Sequence, residues 1–159
     1  MPLIPVDIAE YKVSADPEAT LLTYALGSSV VVVVHDARCR IGAMLHTMLP
    51  TSSAAPHHAQ LKPAMFADSG LPLLFDELAR RGSDCRNLAI KVAGGARRYE
   101  DRSHFDIGRR NYLVVRKLLW RRGLLVAAED LGGTGARTVR LEIATGRVTV
   151  SAEGQEREL

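Results

Sequence analysis

The sequence is poor in cysteine, in aromatic side chains and in long apolar runs. Two cysteines, Cys39 and Cys85, stand among 159 residues. Neither belongs to a CxxC pair and two cannot build a disulfide framework, so the expectation is reduced thiols in a cytosolic protein. Aromatic residues make up 5% of the chain. The basic residues are scattered as pairs (Arg80-Arg81, Arg97-Arg98, Arg109-Arg110, Arg121-Arg122) without the interleaved aromatics on which bases stack, which argues against nucleic-acid binding. The longest unbroken aliphatic run is Val30 to Val34, far short of the roughly 20 apolar residues of a membrane helix. Met1 to Pro5 has no basic residue ahead of an apolar core, so no secretory signal is expected. Metal-ligand spacing is lacking too: His57-His58 are adjacent, with no nearby Cys, Asp or Glu to complete a set, and neither a metal nor a cofactor is expected.

What remains is an ordinary globular composition, 47% hydrophobic and 25% charged. At this length one domain spanning 1–159 is expected, able to fold without a metal or disulfide. The net charge is +3, and only four basic residues are lysine (Lys12, Lys62, Lys91, Lys117). Arginine suits bidentate contact with carboxylates, so an acidic partner surface is one reading; an arginine-preferring composition on an ordinary surface is the other.

Along the chain, Leu21 to Leu26 reads as a strand ending at Gly27-Ser28-Ser29. Val30 to Val34 suits a strand buried on both faces. His35-Asp36-Ala37-Arg38 reads as a turn, and Ile41 to Met48 as the returning strand, in which Gly42 marks a bulge or a close backbone approach. Pro50 to Pro63 has neither helix nor strand period and reads as a loop. A helix is expected over Ala64 to Arg81, starting or kinking at Pro72 and stopping at Gly82. Asn87 to Val92 is a strand running into Gly94-Gly95. Ile107 to Arg122 is the clearest helix, with Ile107, Val114, Val115, Leu118 and Leu119 in one stripe and Gly123 at its end. Trp120 near that end reads as a partly buried core residue. Leu124 to Ala128 reads as a strand, and Thr138 to Ile143 with Val148 to Ala152 as a hairpin about Thr145-Gly146. The fold class is therefore α+β: a layered sandwich of mixed β-sheets with about two long helices packed outside.

Chemistry points to one place. Two adjacent strands joined by a short turn bring the start of the first, at Ser29, beside the end of the second, at His46. The Gly27-Ser28 turn frees backbone amides next to position 29, as an oxyanion hole requires, and Gly94-Gly95 would flank the cleft. A nucleophile at a strand end, a histidine opposite, and a third group to hold the imidazole is the logic of acyl transfer, with Thr23 as candidate third group. Spacing alone does not separate this from a turn serine and a hydrogen-bonded histidine. Gly132-Gly133-Thr134-Gly135-Ala136-Arg137 lacks the Lys-Ser/Thr of a phosphate loop and precedes a strand pattern, so its glycines read as turn positions with close backbone approach. His35 and His104 fall in expected turns and receive no role.

Longer motifs narrow the choice. Thr23-Tyr24-Ala25-Leu26-Gly27-Ser28-Ser29-Val30 resembles the opening motif of the CheD family, the chemoreceptor glutamine deamidases, and Ile41 to Pro50 resembles its second. The likeness continues through Phe66-Ala67-Asp68-Ser69, Lys91 to Ala96, Ile107 to Asn111, Asp130 to Gly133 with Ala136-Arg137, and Thr145 to Val148. It covers nearly the whole chain. The resemblance implies hydrolysis of receptor glutamine amides to glutamate and ammonia by a Cys–His–Thr triad, with His46 and Thr23 at the His and Thr positions. It implies chemoreceptor cytoplasmic helices as substrate and a CheC-type phosphatase as a further partner. The cysteine position, however, is Ser29. A thiol with pKa near 8.5 is readily driven to thiolate by imidazole, whereas an alcohol must lose its proton during attack. Three accounts of Ser29 follow: a deliberate Cys→Ser change, a natural homologue that keeps binding without catalysis, or a slow serine nucleophile. Cys39 and Cys85 lie away from the glycine turn and are not expected to substitute.

Overall fold

A computed structural model describes residues 2–83, 85–97, 106–133 and 135–159, without the side chains of Ala25, Ala54 and Cys85. Arg98, His104 and Thr134, discussed above, lie outside the described residues. Among the described residues, ten strands form two five-stranded sheets. In chain order the strands are β1 (Leu3–Pro5), β2 (Glu10–Ser14), β3 (Thr20–Leu26), β4 (Val30–Asp36), β5 (Ile41–Thr47), β6 (Leu88–Gly94), β7 (Ala128–Leu131), β8 (Arg137–Glu142), β9 (Val148–Ala152) and β10 (Gln155–Glu158). The helices are α1 (Pro56–Leu61), α2 (Ala67–Arg80) and α3 (Ile107–Arg121). One sheet has the order β1-β3-β8-β9-β10 and the other β2-β5-β4-β6-β7. Both are mixed, because β1 runs parallel to β3 and β7 parallel to β6, while the remaining pairs are antiparallel. The α+β sandwich read from the sequence is the observed architecture.

Strand β4 is the centre of the molecule. Its residues are all buried, and alternate valines serve two cores, as the period of a strand dictates. Val30, Val32 and Val34 join Leu71, Leu74, Phe75 and Leu78 of α2 with Val115 and Leu119 of α3. Val31 and Val33 join Leu21, Leu26, Val139, Leu141 and Val150 between the sheets. The layers are therefore helices, sheet, sheet. The strand runs on through His35 and Asp36, which the sequence placed in a turn. His35 is buried with Nε2 2.8 Å from the Ile143 carbonyl. The Asp36 carboxylate accepts from the Arg38 amide at 2.9 Å, the Cys39 amide at 3.2 Å and the Ser83 hydroxyl at 2.6 Å.

Gly42 is a close approach and not a bulge. A Cβ there would lie 2.5 Å from Ile143 Cδ1, and the register of β5 with both neighbours is unbroken. The hairpin about Gly146 joins β8 to β9, with the Gly146 amide donating to the Glu142 carbonyl at 2.9 Å.

Several expectations are corrected. Pro50 to Pro63 is not a bare loop: it holds a 3-10 turn at Ser52–Ala54, helix α1, and the start of a second 3-10 turn at Pro63–Met65. Pro56 opens α1 and Pro63 opens the second 3-10 turn, because a first helical turn has no use for the missing N–H. Helix α2 does not start at Pro72; it begins at Ala67, three residues later than expected, and runs through Pro72 to Arg80. Leu124 to Ala128 is not a strand. Leu124 packs into the helix-side core, and pairing with β6 begins only at Ala128. Trp120 is not a core residue but 71% exposed, because it projects about 100° round the helix from buried Leu119.

Candidate functional site

The site is assembled where the two sheets face one another at the start of β4. Register fixes it. Val31 of β4 stands opposite His46 of β5, and directly paired residues share a face. Val31 belongs to the intersheet core, so the His46 ring enters that layer too. Ser29 precedes Val31 by two and is half-buried beside this face. Thr23 reaches the layer from the opposite sheet, paired with the intersheet residue Val139 just before β3 shifts register between Thr23 and Leu26.

Thr23 and His46 meet. The Thr23 Oγ1 to His46 Nδ1 distance is 2.7 Å, and the Thr23 hydroxyl donates to the Val6 carbonyl at 2.7 Å. These two contacts assign the tautomer. A carbonyl only accepts, so the single hydroxyl proton goes to Val6, and His46 Nδ1–H must donate to Thr23 Oγ1. Nε2 then carries the lone pair. It is buried without a hydrogen-bond partner among the described residues, and His46 as a whole is 3% exposed. Burial holds its pKa below the usual value, at about 4, with the Asp7 carboxylate opposing the shift. At neutral pH the ring is thus a neutral base with one free nitrogen. Ser29 Oγ is not bonded to that nitrogen.

The loop carrying Ser29 is held by its carbonyls. Gly27 O accepts from the Ala96 amide and Ser29 O from the Gly95 amide, both at 2.9 Å. Ser28 O accepts from Asn111 Nδ2 at 3.1 Å, and the same nitrogen donates to Met48 O at 2.8 Å. Among the described residues, the amides of Ser28 and Ser29 take no part in the backbone bonds tying this loop to its neighbours. They are the groups available for a developing oxyanion. Gly94 and Gly95 stand behind the loop. Their φ angles of 109° and 63° suit glycine. A Cβ on Gly94 would strike the Ser29 carbonyl, and one on Gly95 would lie 2.9 Å from Gly108 O of α3.

Two residues of this arrangement escaped the sequence reading as site elements. Asn111, fully buried, bridges the serine loop to the chain just after His46. Its partners lie 83 and 63 positions away, and no local pattern marks such a contact. Arg137 is buried and spans several carbonyls, with Nη1 3.5 Å from Gly94 O and 3.4 Å from Gly135 O and Nη2 on Gly132 O. Its Nε pairs with Asp130 at 3.2 Å, and Asp130 also pairs with Arg157 at 2.7 Å. Cys39 lies apart from these groups, its thiol donating to Gly82 O at 3.4 Å. His57 and His58 lie exposed on α1.

Comparison with known proteins agrees with the sequence motifs. The CheD family profile, described as CheD chemotactic sensory transduction, matches residues 48–152. A protein of Solibacter usitatus named probable chemoreceptor glutamine deamidase CheD is 45% identical over 159 residues, covering 100% of this chain and 94% of that one. A Syntrophus aciditrophicus protein, probable chemoreceptor glutamine deamidase CheD 1, is 42% identical, covering 94% and 93%. The chemoreceptor glutamine deamidase CheD of Thermotoga maritima is 38% identical, covering 94% and 91%. The chain belongs to the CheD family.

Proposed function

We propose that residues 1–159 form one CheD-type domain that acts in the cytoplasm on glutamine side chains of chemoreceptor helices, with Ser29 in the nucleophile position. In this reading His46 Nε2 takes the proton of the attacking group, Thr23 holds Nδ1–H, and the Ser28 and Ser29 amides face the oxygen of the scissile carboxamide. Attack gives a tetrahedral intermediate. Collapse expels ammonia, which takes the proton back from His46, and water then releases the glutamate. The observation that supports this reading is the neutral His46, anchored on one nitrogen and bare on the other, beside the loop of Ser29.

The same observation argues for slow chemistry. An imidazole with pKa about 4 is far less basic than an alkoxide, so removing the Ser29 proton is steeply uphill; a thiol narrows that gap by several units. Thr23 also supplies no carboxylate charge to stabilise the imidazolium. The second reading, which the identity of residue 29 favours, is a non-catalytic adaptor that binds receptors or a CheC-type phosphatase. Ammonia release and the Gln→Glu mass change on a receptor cytoplasmic fragment decide between them. Conversion by the Ser29→Cys variant alone supports a deamidase site disabled at one atom. No conversion by either protein leaves the adaptor, and equal conversion by both overturns the argument from acidity.

A further inference from the structure

The outer face of α3 carries a second feature that the candidate site does not use. Leu113, Trp120 and Leu125 are 47%, 71% and 78% exposed. These three of the seven exposed large apolar side chains among the described residues line one groove of about 770 Å³, together with Tyr112, Arg116 and Lys117. The groove lies between α3 and the segment 124–129. Residues 113, 116, 117 and 120 are spaced i, i+3, i+4, i+7, so they form a single stripe. Helix α3 contains no acidic residue, and Arg109, Arg110, Arg116 and Lys117 are all exposed. The one carboxylate in the groove, Glu129, is occupied by the Tyr112 hydroxyl at 2.7 Å.

We propose that this groove docks an acidic amphipathic helix of the receptor, its apolar ridge on Leu113, Trp120 and Leu125 and its carboxylates against Arg116 and Lys117. The proposal deepens the receptor reading above and rests on it for the partner. Shape and charge select this occupant. A trough beside a helix accepts the convex ridge of another helix, whereas a lipid surface is flat. A second copy of this chain, seated by a two-fold axis, would set Arg116 and Lys117 against their own like charges. The site and the groove use different faces of α3: Asn111 is buried against the serine loop, whereas Leu113, Arg116, Lys117 and Trp120 are exposed on the opposite stripe.

Trp120 is the only tryptophan in the chain, so its fluorescence reads this surface alone. Titration with a receptor cytoplasmic fragment should shift the emission to the blue, and the affinity should fall as salt rises. Paired substitutions Arg116→Glu and Lys117→Glu should weaken fragment binding about tenfold or more. In the Ser29→Cys background they should leave turnover of a short glutamine peptide unchanged, with thermal unfolding confirming the fold. Conversion of the fragment by Ser29→Cys with unchanged Trp120 emission and no effect of charge reversal overturns the docking proposal and leaves the deamidase reading standing. Binding with the expected shift but no conversion supports docking and removes the deamidase reading. A shift that grows with protein concentration in the absence of the fragment, or one seen with anionic vesicles and not with the fragment, overturns the proposal in favour of self-association or a membrane surface.

Discussion

The two halves of the candidate site are secured in different ways. His46 is held through its side chain, inside the intersheet layer, by a hydroxyl that is itself committed to the Val6 carbonyl. Ser29 is held through its backbone, by the Gly95 and Ala96 amides just beyond β6 and by the Asn111 bridge acting on neighbouring carbonyls. On the histidine side the identity of each residue is part of the scaffold. On the serine side, among the described residues, the hydrogen bonds fall on loop carbonyls, so a change of side chain at position 29 leaves them in place.

The sharpest test of that contrast is Ser29→Cys. We expect the rate of ammonia release to rise by about 100-fold or more, the scale on which small changes at a reacting atom act, with stability within about 0.5 kcal/mol of the parent by denaturant titration. A large stability change would show that the side chain is gripped after all. Next in size is the response to acid. The folded-state pKa of His46, about 4, lies below the unfolded value near 6.5, so protons bind the unfolded chain more readily. The contribution of neutral His46 is complete above about pH 6.5 and is lost as pH falls toward 4, on the order of 3 kcal/mol in all. Urea titrations across that window should show it, and His46→Gln should flatten that part of the curve.

Asn111→Leu comes third. It removes both donors and leaves Ser28 O and Met48 O unpaired, for about 1–3 kcal/mol. It should also lower kcat of the Ser29→Cys protein with KM little changed, since it moves the loop against the base. If the histidine side alone governed the geometry, kcat would not move. Smallest is Thr23→Ser, which keeps the hydroxyl and loses one methyl, about 1 kcal/mol, with the acid response of His46 retained. Thr23→Val should abolish the anchoring of Nδ1–H and reduce turnover of the Ser29→Cys protein, so the pair separates packing from orientation.

Much of this was legible in advance, for reasons that particular residues make plain. Val30 to Val34 and the Ile107 stripe declare their periods, and Gly82 and Gly123 end their helices where expected. The antiparallel pairing of β4 with β5, which sets His46 opposite Val31, followed from one short turn. The short edge strands β1, β2 and β10 went unread, because three to five residues that are largely half-buried or, in β10, wholly exposed carry too little alternation. Helix α1 was hidden behind prolines that read as breakers yet occupy first-turn positions. Trp120 differs from the partly buried core residue expected near the helix end, because its angle on the helix puts it outside. Asn111 and the Val6 carbonyl became part of the site only through contacts between distant parts of the chain, which no local pattern encodes.

One consequence concerns β4. Five identical side chains in a row carry no phase: slid along its neighbours by one residue, the stretch would present the same valines to both cores. Its phase must come from its ends, and the polar contacts there supply it. His35 and Asp36 clamp one end against Ile143 and Ser83, and the amides of Gly95 and Ala96 clamp the other. The polar fittings at the two ends thus work as a ruler's stops. They decide whether Val31 or its neighbour comes to stand opposite His46.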